Sequence, residues 1–211
     1  MYLSRVEINP FRRESIKALS SPQIIHAAVM ASFPSFGDGA GRVLWRIDKI
    51  GSATYIIVQS ESKPDFHHII DQFGHPESEK MWDTVEYDEF LSKLENGQIW
   101  RFRIKANPTY SVSSDDGKRG KVMAHVTVKQ QISWKMSKAE KCGFTIQEDD
   151  VYIKHRGVKT FDRRGSKITL ATATFEGVLV IENVETLRQS IINGIGRGKA
   201  YGCGLLSLAR V

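Results

Sequence analysis

Residues 43–60, VLWRIDKIGSATYIIVQS, decide how this chain is read. Val43–Ile50 and Thr54–Ser60 are rich in β-branched and aromatic residues, and Gly51-Ser52 between them suggests a tight antiparallel hairpin. Upstream, Ser20, Ser21 and Pro22 offer a hydroxyl cap and a first-turn proline, and Ile24, Ile25, Ala28, Val29 and Phe33 form the apolar stripe of a helix running to about Ser32. Gly37, Gly39 and Gly41 mark the loop after it. Further out, Tyr2–Ile8 alternates as a strand, with Leu3, Arg5 and Glu7 on one face and Ser4, Val6 and Ile8 on the other. Downstream, Glu86–Glu95 reads as a short amphipathic helix and Gln98–Lys105 as a strand. The first half is therefore expected to run β-α-β-β-α-β.

The second half repeats the order. Lys121–Val128 has strand character, Ile132–Cys142 is helix-like and ends at Gly143, and Phe144–Gln147 and Val151–His155 are short strands. Lys167–Phe175 and Val178–Glu182 are strands rich in threonine, valine and isoleucine, Val184–Asn193 is a helix closed by Gly194, and Cys203–Ala209 is a final strand. The expected fold class is α+β, with two tandem ferredoxin-like domains at 1–106 and 121–211 and a linker at 107–120.

Composition narrows the class. With 211 residues, 41% hydrophobic and 26% charged, the chain is long enough for one ordinary domain or two small ones and is not a disordered polymer. No stretch approaches the ~20 apolar residues of a membrane span, and the N-terminus lacks a signal-peptide layout, so a soluble cytoplasmic protein is expected. Cys142 and Cys203 are too few for a disulfide framework or a four-ligand zinc site. Charge is uneven: residues 101–167 hold 16 basic and 7 acidic side chains, whereas residues 51–100 hold 3 and 10. Such a basic segment can collect phosphates, or be a solvated lysine-rich surface.

Four features could carry chemistry. Residues 194–204, GIGRGKAYGCG, fit neither a P-loop nor the dinucleotide fingerprint, and leave a permissive backbone that packs closely on a neighbour or presents amides, Arg197 and Lys199 to an anion. His67, His68 and His75, with Asp65 and Asp71, match no zinc spacing and read as an acidic surface loop, so no metal is expected. His26 lies near the edge of its helix's apolar stripe, where a lone histidine is ordinarily structural. Residues 154–167, KHRGVKTFDRRGSK, read as a long hairpin tip with six cations and one aromatic, suited to phosphates or merely a charged loop. The fourth is WRFRIKANP at 100–108, where Arg101, Arg103 and Lys105 alternate with Phe102 and Ile104; its plain reading is a charged edge strand.

Taken in order, MYLSRVEINP, the early helix bearing His26, FRIKANP at 102–108, FEGVLVI at 175–181 and GIGRGKAYGCGLLSLA resemble the CasE-type CRISPR-associated endoribonucleases, the pre-CRISPR RNA processing subunits of type I-E Cascade complexes. The resemblance runs from residue 1 to about 210. It implies binding of a CRISPR repeat hairpin and metal-independent cleavage at its 3′ base, with no cofactor. The ribose 2′-hydroxyl would attack the adjacent phosphodiester, leaving a 2′,3′-cyclic phosphate and a 5′-hydroxyl. It further implies retention on the product hairpin and assembly with other Cascade subunits. His26 falls where the family keeps its catalytic histidine, and imidazole, titrating near ~6.5, can exchange protons at neutrality. The family often has a tyrosine three residues earlier; here that residue is Gln23, which can donate a hydrogen bond but cannot act as a general acid or base. The hairpin at 154–167 corresponds by location and charge to the family's RNA-gripping hairpin, favouring Arg156, Lys159, Arg163 and Arg164.

Two alternatives remain at this point: a non-catalytic RNA-hairpin-binding module of the same fold, and a metal-dependent enzyme built on His67, His68 and His75. No helix has the dense basic face that would suit the major groove of DNA.

Overall fold

The computed structural model describes residues 1–33, 41–75, 82–113, 121–163 and 165–211, with only the backbone of Arg163. Gly37 and Gly39 lie outside the described residues. Strand β1 (Tyr2–Ile8) lies between β3 (Ala53–Ser60) and β4 (Trp82–Glu86), and β2 (Leu44–Ile50) pairs with the far edge of β3. All pairings are antiparallel, in the order β2-β3-β1-β4 of a ferredoxin-like sheet. Ser4, Val6 and Ile8 point inward, as the alternation requires. Val6 and Ile8 meet Ile56 and Val58 of β3, and Ile25 and Val29 of helix α2 (Pro22–Met30), in a core closed by Phe66, Ile69 and Phe73.

Several boundaries differ from the expectation. A helix α1 (Arg13–Ser20) precedes α2, and the Ser21 hydroxyl makes no capping bond. Residues 67–73 form helix α3, not an acidic loop. The helix expected over 86–95 shrinks to α4 (Asp88–Ser92) behind β4. The larger correction concerns β5 (Ile99–Ala106), read from the sequence as the last strand of the first sheet. It instead pairs with β10 (Ser166–Ile181) on one side and β11 (Leu206–Ala209) on the other, so it is central, not a charged edge. Phe102, Ile104 and Ala106 bury one of its faces in the second core.

The second ferredoxin-like unit thus begins with β5. It continues through α5 (Val128–Lys141), β8 (Phe144–Thr145) with the long β9 (Val151–Arg163), β10, α6 (Val184–Asn193) and β11. Its sheet order is β11-β5-β10-β8, with β9 also on β10. Residues expected as linker and first strand form a small hairpin, β6 (Thr109–Val112) with β7 (Lys121–Ala124), outside both sheets. The two strands expected over 167–182 are one sixteen-residue strand. The basic run is strand as well as turn, because β9 and β10 pair from Arg163↔Ser166 to Val151↔Gly177.

The units meet along a polar seam. Arg46 of β2, 2% exposed, gives Nε and Nη2 to the Asp48 carboxylate at 2.8 and 2.7 Å. It also donates to the carbonyls of Arg103 and Leu205 at 3.0 and 2.8 Å and to Ser207 Oγ at 2.7 Å. Gln59 Nε2 donates to the Ile191 carbonyl at 2.8 Å, and Trp45 Nε1 to that of Ala200 at 3.2 Å. Close approach of the glycine-rich loop explains two of its glycines. A Cβ on Gly202 (φ +77°) would sit 2.7 Å from the Trp45 ring, and one on Gly194 (φ +74°) 2.7 Å from Leu44.

One core group titrates unusually. Lys135 of α5 is fully buried, with Nζ 4.6 Å from the Phe144 ring centroid and 5.0 Å from that of Phe102. Burial lowers its ammonium to about 7, while the two ring faces favour the charged form. An amine lowered on folding binds fewer protons than in the unfolded chain between about pH 7 and its ordinary pKa, so stability rises with pH across that window. Thermal melts should therefore show Lys135→Met more stable than the native protein at pH 6.5, with the gap closing by pH 10. A gap independent of pH would contradict this.

Candidate nucleic-acid interface

Helix α2, the hairpin β9–β10 and the glycine-rich loop converge at one end of the seam. The His26 ring, partly exposed, stands edge-on to Tyr201 at 6.4 Å between centroids and 69° between planes. Tyr201 in turn meets Phe161 of β9 edge-on at 4.8 Å. Phe161, Leu170, Tyr201 and Cys203 form a small buried cluster that fixes the loop to the hairpin, and α2 packs on the same loop. The run singled out for its glycines thus presents Tyr201 to the helix that was singled out for its histidine. Gln23, one turn before His26, has a buried Oε1 with no hydrogen-bond partner among the described residues.

Beside this junction a cleft of ≈ 570 Å³ runs between the units. Pro22 and Ile25 of α2 and Leu19 line one wall, and Lys105, Lys154, His155, Lys159 and Tyr201 line the other. Its far end is closed by an ion network: Asp48 is shared by Arg46 and Arg103, and Glu176 by Arg103 at 2.5 Å and Lys154 at 3.1 Å. Burial alone would raise the Asp48 carboxyl, but hydrogen bonding and charge from Arg46, with Arg103, hold it below its ordinary value. Partial burial and neighbouring Lys105 both lower the Lys159 ammonium.

Two of the four cations favoured on the hairpin, Lys159 and Arg156, leave it on opposite faces. Lys159 shares its face of β9 with Phe161, and its Nζ donates to the Leu19 carbonyl across the cleft. Arg156 is an odd number of residues away, so it points to the opposite face, where it donates to the Val126 carbonyl. Arg163 ends β9, and Arg164 lies outside the described residues. The histidines weighed as metal ligands turn to separate partners. His67 meets Asp65 at 2.6 Å, His68 the Ala28 carbonyl at 2.9 Å, and His75 approaches Glu7 at 3.7 Å. Sequence reasoning quoted Tyr201 only as part of the glycine-rich run and read Lys105 as one charge of an edge strand, although the alternation of FRIKA already placed Lys105 on the strand face away from the core.

Fold and site together define a class: an α+β protein of two tandem ferredoxin-like units with a histidine-bearing helix facing a basic hairpin across a shared cleft. The chain belongs to the CRISPR-associated protein family, whose model matches residues 1–210. It is similar to the CRISPR-associated endoribonuclease Cse3 of Thermus thermophilus, 26% identical over 222 residues covering 99% of this chain and 100% of that one. It is also similar to the CRISPR system Cascade subunit CasE of Escherichia coli K12, 27% identical over 218 residues with 99% of each chain covered. The structure of Thermus thermophilus Cse3 bound to an RNA representing a pre-cleavage complex superposes with a TM-score of 0.80 at 25% identity, covering 99% of this chain and 98% of that chain. Among the described residues no helix is long and apolar enough to cross a membrane.

Proposed function

We propose that this chain is a CRISPR RNA endoribonuclease: it binds the stem-loop of the repeat and cuts pre-CRISPR RNA at the 3′ base of the hairpin. The observation that carries this reading is the contact of His26 with Tyr201, and of Tyr201 with the cationic β9, beside one cleft, in a chain aligned end to end with a relative named as an endoribonuclease. Cleavage by the adjacent 2′-hydroxyl needs a proton-transfer group and cations for the phosphorane charge, and no metal. His26 supplies the first. Lys159, with Arg156, Arg163 and Arg164 along the hairpin, supplies phosphate contacts, Arg156 gripping from the opposite face. Gln23 orients the scissile group by hydrogen bonding, without exchanging a proton.

An A-form stem is tracked by shape and by its phosphates, which suits a long two-sided basic ribbon. The protein stays on its product hairpin and takes a place among other Cascade subunits in the cytoplasm. The experiment is incubation of labelled repeat hairpin RNA in EDTA, with product ends identified by mass. Cleavage to a 2′,3′-cyclic phosphate and a 5′-hydroxyl, with affinity falling steeply as salt rises, is the expected result. Tight binding without cleavage would instead mark a non-catalytic hairpin-binding module, and cleavage abolished by EDTA a metal-dependent enzyme.

A further inference from the structure

Strand β5 sends Arg103 and Lys105 to the same side, towards the first unit, yet their surroundings differ. Arg103 is neutralised by Asp48 at 3.4 Å and Glu176 at 2.5 Å. Lys105, partly buried one strand repeat further on, has no carboxylate partner among the described residues. Its charged neighbour in the cleft is Lys159, whose ammonium is lowered by partial burial and by the charge of Lys105. The acidic side chains lining the cleft, Asp48 and Glu176, are already engaged by Arg46, Arg103 and Lys154. Cys203 also lies close to Lys105, but burial pushes its thiol up to about 12, so it supplies no negative charge at neutrality. Like charges brought together in a partly desolvated cleft are unfavourable unless an anion joins them.

The position of this pair relative to His26 indicates which anion. Gly204 N–H donates to the Lys105 carbonyl at 2.8 Å, which ties β5 to the loop whose Tyr201 ring meets His26. Lys105, Lys159 and Tyr201 line one cleft together with Pro22 and Ile25 of the histidine's own helix. We propose that Lys105 is a catalytic residue: its ammonium contacts the phosphate undergoing cleavage and, with Lys159, stabilises the charge that develops there. This inference rests on the endoribonuclease reading above and adds a residue from the central strand of the second sheet, which pairs with β10 but is not part of the hairpin itself.

The test compares native protein, Lys105→Met and Lys105→Arg in single-turnover cleavage of repeat hairpin RNA with protein in saturating excess, alongside hairpin affinity and thermal melts. The expected result is a cleavage rate on the order of 100-fold lower in Lys105→Met, with most activity kept in Lys105→Arg, because a cation aimed at developing charge acts on the chemical step. Hairpin affinity and melting temperature should change little. Cleavage by Lys105→Met at the native rate would overturn the proposal, as would equal losses in the Met and Arg variants accompanied by lowered melting temperatures, which would make Lys105 structural. If the native protein itself fails to cleave, it is the endoribonuclease reading that falls.

Discussion

Replacing His26 with alanine should lower single-turnover cleavage of the repeat hairpin by about 1,000-fold or more while leaving hairpin affinity within about threefold of native. The reason is positional. His26 is partly exposed on the first unit, whereas the cations proposed to hold the stem lie on the hairpin of the second. The substitution leaves the packing of α2 in place, because the helix's core contacts are made by Ile25 and Val29, while the imidazole ring stands edge-on to Tyr201. Rate measurements at saturating protein, with affinity taken separately by titration, check this. Cleavage by His26→Ala at the native rate would remove the histidine from the mechanism.

The second large effect concerns the seam. Arg46→Met should destabilise the protein by about 3–5 kcal/mol, because it leaves Asp48 buried without its bidentate partner and frees the Arg103 and Leu205 carbonyls. In a chain of this length the melting temperature should fall by on the order of 10 °C. The sign of the pH effect follows from Asp48, whose folded carboxyl is held below its ordinary value. Its contribution is present above the unfolded pKa and is lost as pH falls through the lowered folded value. Without Arg46 the burial that raises this carboxyl dominates, so acid unfolding of the variant should begin at higher pH than in the native protein. The double variant Arg46→Met with Asp48→Leu should recover part of the loss, since two buried charges are then removed together. Melts and acid titrations of the three proteins decide the matter; an Arg46→Met protein as stable as native would contradict it.

Much of the fold was legible, and the misreadings have physical causes. Strand Tyr2–Ile8 and helix Val184–Asn193 announce themselves because their apolar periods and caps agree, with Asn183 capping the latter through Thr186. Strand 99–106 was read as a strand but given to the wrong sheet. Alternation tells which residues share a face and nothing about which strand lies alongside, and only the pairing with β10 and β11 decides that. Helix α1 was missed because its buried positions are Ser15 and Ala18 while Ile16 lies exposed, so no apolar stripe marks it. At the site, the glycine-rich run and the histidine helix were each noticed, but their contact through Tyr201 joins residues 175 positions apart and has no local signature. The favoured hairpin cations were chosen by location and charge, which do not reveal that Arg156 and Lys159 leave the ribbon on opposite faces.

The claim that RNA is cut where α2 faces the hairpin is tested most directly by a structure of the native protein with a repeat hairpin carrying 2′-deoxyribose at the cleavage position, which blocks the attack while keeping every phosphate. The scissile phosphate is expected in the cleft between His26 and the Lys105–Lys159 pair, with the stem lying along β9 and β10. A hairpin seated on another face of the protein, with the cleft left empty, would contradict the account.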